Sequence, residues 1–381
     1  MIFSYLYKHL RCLLPLLAAL LLNGCRTGCR TGSSGPEAAC LIRMDRAEEL
    51  RGQAPLNVDG FVKLQTTDEA VVGRIAKVVS CGERLYILTE VPQNDVFVFS
   101  DDGTFLYKLQ KGRADNELVY PTDISVDEAS GRLLVLDLYR SVKFYAPDGR
   151  YEAKVAFDQP QGYVESCGPH RAVLYSMNMS GRKEHDGYFL DRTNRLRGIY
   201  RSAYEGEGYR LPGVLTKFAP DSVLLCPLFS DTVYLCTAGG ELQPRFIMEC
   251  GGRSANDRER IRSLGSLAEY IDGTRAQRRY SGPEAVFYAH PRFFFHYGQP
   301  GKWAVYDAGL DETTLYSRMF DDLPACYGKA GQDGRRAIYA YDIAHLLGYF
   351  ERHPPQTDMG RRIAAVCTDE EENPILVFAT M

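Results

Sequence analysis

From Phe61 onward the chain is written in short runs of Val, Ile, Leu, Tyr and Phe, broken by clusters of Gly, Asp, Asn and Pro. That pattern predicts half-buried strands joined by tight turns. Apolar residues at helical spacing are nearly absent before residue 255. Four stretches repeat one phrase of strand, turn and strand: VFVFSDDGTFLYK at 96–108, VKFYAPDGRYEAK at 142–154, GYFLDRTNRLRGI at 187–199 and VYLCTAGGELQPR at 233–245. The residues in them that tolerate a positive φ are Gly103, Gly149, Asn194 and Gly240, at spacings of 46, 45 and 46. Such residues are what two-strand hairpins require, and their constant spacing marks an internal repeat.

The second unit shows the contents of one period. Asp123–Asp127, Leu133–Asp137, Ser141–Tyr145 and Tyr151–Val155 make four strands in about 46 residues, which is the blade of a β-propeller. The next matching turn, Tyr306–Asp311, comes about 70 residues after Gly240, so roughly 25 residues are inserted. They fall within residues 251–281, where Ile261, Leu264, Leu267, Ala268 and Ile271 keep helical spacing behind Asn256 and Asp257. Asp342–Arg352 forms a second helical patch, with Ile343, Leu346, Leu347 and Phe350 on one face. Removing both leaves about six periods, so the expected fold is all-β: a six-bladed β-propeller of four-stranded antiparallel blades over residues 57–381. The lone strand Phe61–Leu64 is expected to complete the last blade beside Pro374–Phe378 and to close the ring.

The first residues obey a different pattern. Lys8 and Arg11 precede the apolar run Cys12–Leu22, which as a helix rises only about 16 Å, half of a bilayer core. Residues 1–24 therefore read as a secretory signal, and Gly24 before Cys25 resembles a lipobox, with Cys25 as the lipid anchor. The Gly, Ser and Thr that follow predict a flexible tether over 25–56. Cys25, Cys29 and Cys40 match no zinc spacing. With Cys12 and Cys25 set aside, nine cysteines remain, an odd number that leaves at least one unpaired. Cys226, Cys236 and Cys367 lie in apolar strand-like runs and are expected in the core. A net charge of −4, with the 45 Lys and Arg scattered, argues against nucleic acid as a partner.

In the phrases FVKL, ERLYILTE, VFVFSDDGTFLYKL, DISVDEASGRLLVLD, SVKFYAPDGRY and EENPILVFAT the chain resembles the six-bladed propeller lipoproteins of Bacteroidota, related in architecture to NHL-type and TolB-type propellers. The resemblance covers about Leu56 to Met381 and implies an outer-membrane lipoprotein facing the periplasm. It carries over no catalytic residues. The segment Gly112–Glu117 departs from it, since relatives have a run richer in Gly and Pro there.

No P-loop, dinucleotide fingerprint, HExxH or GxSxG occurs. Asp101–Asp102 lacks the ligand ladder of an EF-hand, and later copies of the turn lose both acids, so calcium is not expected there. His290 and His296, in AHPRFFFHYG, are expected to be packed or hydrogen-bonded rather than metal ligands. Propeller geometry places a ligand at the channel mouth, near the starts of the innermost strands, where Arg74, Asp123, Glu165, Lys217 and Glu284 fall. The insertion has seven Arg against four acids, and Arg258 and Arg262 are its candidates for docking an acidic partner or glycan. The sequence thus points to a monomeric, membrane-anchored binding module of the cell envelope with no metal or cofactor. The alternative is a metal-dependent lactonase or lyase at the channel mouth, on fold analogy alone.

Overall fold

The computed structural model describes residues 39–50, 54–179, 184–209, 213–297, 303–326 and 330–381. Three strands come first: β1 (Cys40–Arg43), β2 (Glu48–Leu50) and β3 (Asn57–Lys63). The repeat then begins with the antiparallel meander β4 (Ile75–Cys81), β5 (Arg84–Thr89), β6 (Val96–Ser100) and β7 (Phe105–Lys108). It recurs in β8 (Pro121–Asp127), β9 (Arg132–Asp137), β10 (Ser141–Tyr145) and β11 (Tyr151–Ala156), and again in β12 (Tyr163–Ser166), β13 (Ala172–Tyr175), β14 (Gly187–Leu190) and β15 (Leu196–Tyr200). Next come β16 (Leu215–Ala219), β17 (Ser222–Leu225), β18 (Thr232–Thr237) and β19 (Leu242–Glu249). Helices α1 (Arg258–Ser263) and α2 (Leu267–Ala276) separate them from β20 (Pro283–Ala289), β21 (Arg292–Tyr297), β22 (Trp303–Asp307) and β23 (Glu312–Tyr316). Finally, β24 (Gly331–Asp333) and β25 (Arg336–Tyr341) lead through α3 (Ile343–Arg352) and α4 (Asp358–Val366) to β26 (Ile375–Thr380), which β3 flanks antiparallel.

The first strand of each meander packs against the first strand of the next, from β4 through β8, β12 and β16 to β20. The circuit closes where β24 pairs in parallel with β4, Gly331 opposite Val78. This is a β-propeller. Its core lies between neighbouring sheets: Tyr86 and Val98 of the first meander pack with Ile124 and Val135 of the second, and the second and third share Leu134, Leu136, Val164 and Leu174. The middle strand β9 is accordingly buried over all but its first residue, whereas the outer strand β7 alternates between half-buried and exposed positions. An outer strand has one packed face only.

The four repeated turns behave as their residues demand. Gly103, Gly149, Asn194 and Gly240 have φ of 90°, 84°, 61° and 74°. The acids beside them cap the turns: Asp102 accepts from the Ser100 hydroxyl and from the Thr104 amide at 2.9 Å, and Asp191 accepts from the amides of Thr193 and Arg195. In the fifth copy the residue at positive φ is Asp311 rather than Gly309. A Cβ on Gly103 would lie 2.4 Å from the Lys63 carbonyl oxygen, whereas one on Gly82, also at positive φ, would meet nothing within 4 Å. Gly82→Ala is expected to cost roughly 1 kcal/mol for the left-handed backbone alone. Gly103→Ala should cost clearly more in the same urea titration.

Two expectations need correction. Residues 40–50, placed in a flexible tether, form strands that extend two blades: β1 pairs in parallel with β19 and β2 with β23. Cys40, Ile42 and Met44 are buried there. Their alternate spacing gives the segment an apolar face, and a fully buried Ile contributes about 1.5–3 kcal/mol. The second correction is α4, which follows α3 and buries Ile363 although no helix was expected beyond Arg352. The insertion is helical as expected, with Asp257 capping α1 and Ser266 capping α2. Cys226, Cys236 and Cys367 are buried. The signal, Cys25 and most of the tether lie outside the described residues.

Candidate functional site: the central channel

The first strands enclose a cavity of about 1020 Å³ on the axis of the ring, lined from every blade by side chains such as Lys77, Asp123, Glu165, Lys217, His290 and Gln332. Each junction between first strands carries a polar tie. The Lys77 ammonium on β4 lies 3.1 Å from Asp123 on β8 and 3.2 Å from Glu165 on β12, and it reaches the Val164 carbonyl at 3.4 Å. Asp123 accepts from the Val164 amide at 2.7 Å, and Glu165 accepts from the Ser125 hydroxyl at 2.6 Å. Lys217 on β16 donates to the Ser166 carbonyl at 2.7 Å. Thr216 then reaches the Val286 carbonyl on β20, and Gln332 on β24 the Tyr288 carbonyl. The ties form a belt inside the ring.

The electrostatics of Lys77, Asp123 and Glu165 follow from how far each is taken out of water, their side chains being 21%, 4% and 9% exposed. Burial opposes charge on all three. At Lys77 the two carboxylates overcome it and raise the pKa. At Glu165 the ammonium groups of Lys77 and Lys217 overcome it and lower the pKa. At Asp123 burial outweighs Lys77 and the Val164 amide, and the pKa is raised. A lowered carboxylate pKa stabilises the fold above the unfolded carboxylate range, and that contribution is lost as pH falls through the folded value. A raised one acts below the unfolded value and is lost as pH rises through the folded value. Glu165→Gln should therefore flatten the acid limb of stability against pH, and Asp123→Asn should not. Urea midpoints followed downward from neutral pH check this, and an acid limb unchanged by Glu165→Gln would contradict it.

Of the five channel-mouth candidates, Asp123, Glu165 and Lys217 face the cavity. Arg74 and Glu284 are not among the residues that line it. Arg74 sits on the exposed loop before β4 beside Glu90 at 3.7 Å, ahead of the first paired residue of its strand. Glu284 lies 3.6 Å from His296 and accepts from Ser281 at 3.3 Å, and the register of β20 shifts just beyond it. Sequence reasoning missed Lys77, which has more partners than the rest; its signal was a single charge inside the apolar run IAKVVSC. His290 borders the cavity with Nδ1 at 3.1 Å from the Tyr288 hydroxyl, while His296 packs edge-on to Trp303. Arg258 and Arg262 are exposed on α1, away from the cavity. The divergent loop Gly112–Glu117 is held from below, where Lys143 donates to the Glu117 carbonyl and Tyr145 to that of Asn116.

The donor set does not suit a metal. The two carboxylates that converge hold the Lys77 ammonium between them, and among the described residues no group of three or more His, Cys, Asp or Glu is placed to hold an ion.

Comparison with known proteins fits this architecture. A family model described as a domain of unknown function, DUF4934, matches residues 60–380. The chain belongs to that family. Among solved structures, this DUF4934 protein is similar to one from Bacteroides fragilis NCTC 9343, named as a candidate exported protein, with a TM-score of 0.72 at 18% identity over 90% of this chain and 99% of that one. That likeness is one of fold. Weaker similarities are to virginiamycin B lyase from Staphylococcus aureus (TM-score 0.44, 10% identity, 81% of this chain and 80% of that one) and to BamB from Moraxella catarrhalis (0.38, 10%, 68% and 66%). No curated protein matches the chain.

Proposed function

We propose that this DUF4934 protein is a six-bladed propeller lipoprotein, anchored through Cys25 to the outer membrane and facing the periplasm, that binds a ligand or a protein partner at its channel mouth. The single observation that carries the binding role is the large axial cavity, whose wall ends in loops that leave Val71, Val91, Val119 and Leu138 exposed. Those loops precede β4 and β8 or follow β5 and β9, at the end of the ring where the first strands begin, and apolar surface left open beside a cavity mouth suits a partner. The blade count rests on the eight-stranded sheet, which divides at the β24–β4 junction into two four-stranded units. The metal-dependent lyase reading has no donor set to support it among the described residues.

A pull-down from envelope extracts with the native protein should enrich one partner, and Val91→Asp should abolish that enrichment. Failure to enrich a partner, with no small molecule retained in native mass spectra, would overturn the binding role. The anchor is tested separately. Cys25→Ser should move the protein from the membrane fraction to the soluble fraction, and unchanged fractionation would refute it.

A further inference from the structure

Cys167 follows β12 in the third meander and Cys236 lies on β18 in the fourth, both fully buried in one apolar cluster. Two blades meet here. The Cys167 sulfur is 3.6 Å from the Cys236 carbonyl oxygen and 3.3 Å from the carbonyl oxygen of Asp221. A Cβ built on the adjoining Gly168 would stand 3.5 Å from the Asp221 Cβ and 4.0 Å from that of Ala238, ordinary contact distances, so the turn after β12 lies against the neighbouring blade. The other described cysteines belong to other apolar clusters of the ring.

We propose that Cys167 and Cys236 form a disulfide that staples the third blade to the fourth when the protein matures in an oxidising compartment. The proposal rests on the export reading given above. The oxidant is the disulfide of a thiol–disulfide exchange catalyst. One thiolate attacks that disulfide and displaces a catalyst thiol, and the second attacks the resulting mixed disulfide. The new S–S bond forms, the catalyst leaves as a dithiol, and the two cysteines give up two protons and two electrons. Timing follows from burial. In the closed ring the hydrogen bond with Cys167, and then burial, push the Cys236 thiol well up, so little thiolate is available. The bond therefore forms before the two blades close on each other, and a protein folded in the reduced state is slow to acquire it.

The test is peptide mapping of the full-length protein purified from the envelope, denatured without reductant and alkylated. The expected result is a link between the peptide carrying Cys167 and that carrying Cys226 and Cys236, retained in Cys226→Ala and absent from Cys236→Ser. Nearly all Cys167 should escape alkylation until reductant is added. Alkylation of both cysteines without reductant, in protein that fractionates with the envelope, would overturn the disulfide while leaving export intact. If the protein is found in the cytoplasm, refolding the reduced chain with oxidised glutathione decides the pair by itself: the same link supports it, and labelling of both cysteines overturns it. Should Cys236→Ser fail to fold, the map of the wild-type protein alone separates the linked from the alkylated outcome.

Discussion

Lys77→Met is expected to destabilise the protein more than any other single change in the channel, by about 3–5 kcal/mol, because it leaves buried Asp123 without a cation and buried Glu165 with the attraction of Lys217 alone. Asp123 and Glu165 sit on different strands and are held in place by the Val164 amide and the Ser125 hydroxyl, so neither is free to turn toward water. Lys217 lies on the same wall but spends its ammonium on the carbonyls of Ser166 and Pro220. Protonating one carboxylate is the cheapest escape, and the loss in Lys77→Met should shrink as pH falls. The triple change Lys77→Met, Asp123→Asn, Glu165→Gln removes all three charges and should recover most of the stability, since an intact buried ion network contributes little over uncharged groups that fill its space. Urea midpoints of the single and triple variants separate the two effects. A Lys77→Met midpoint within error of the wild type would show that water reaches the carboxylates and that the belt is not a desolvated network.

The periodicity of the chain was legible because a blade is a local object. Gly103, Gly149, Asn194 and Gly240 each answer a steric demand made within a few residues, so the positive φ values could be read from residue type and spacing. The pairing of Phe61–Lys63 with Ile375–Val377 was legible for a related reason, since a ring leaves two ends that must meet. What escaped depends on register across blades. Arg74 and Glu284 were placed by offset from the turns, and an offset fails wherever a strand begins a residue late or bulges, as β20 does after Glu284. Lys77 escaped because nothing local tells a strand lysine that points to solvent from one that crosses an axial channel to two other blades. β1 and β2 escaped because a short alternating segment becomes a strand only when an outer edge is offered. Uncovered edges invite pairing, but the edges in question belong to β19 and β23, far along the chain from the strands they receive.

Gly331→Ala is expected to be the second severe change, and its reason lies in how the ring closes. At the other junctions first strands are tied by side chains, but β24 and β4 pair directly through their backbones, with the Val78 amide donating to the Ala330 carbonyl at 2.7 Å. That separation leaves no room for a side chain: a Cβ on Gly331 would stand 1.9 Å from the Val78 carbonyl oxygen. The obstacle is backbone, and Val78 is itself buried in the cluster between the first and last units, so relief requires β24 to move off β4. Moving it breaks the parallel pairing and exposes the channel wall beside Gln332. The cost should reach about 3 kcal/mol, the upper part of the range for overpacking a core. Gly60→Ala on β3 is the control, because a Cβ there meets nothing within 4 Å, and it should shift stability by no more than about 0.5 kcal/mol. Hydrogen exchange locates the damage: in Gly331→Ala the Val78 amide should lose its protection before the amides of β5 and β6 do. If Gly331→Ala unfolds at the same urea concentration as Gly60→Ala, the two strands have room to spare, and the ring is closed by β3 and β26 alone.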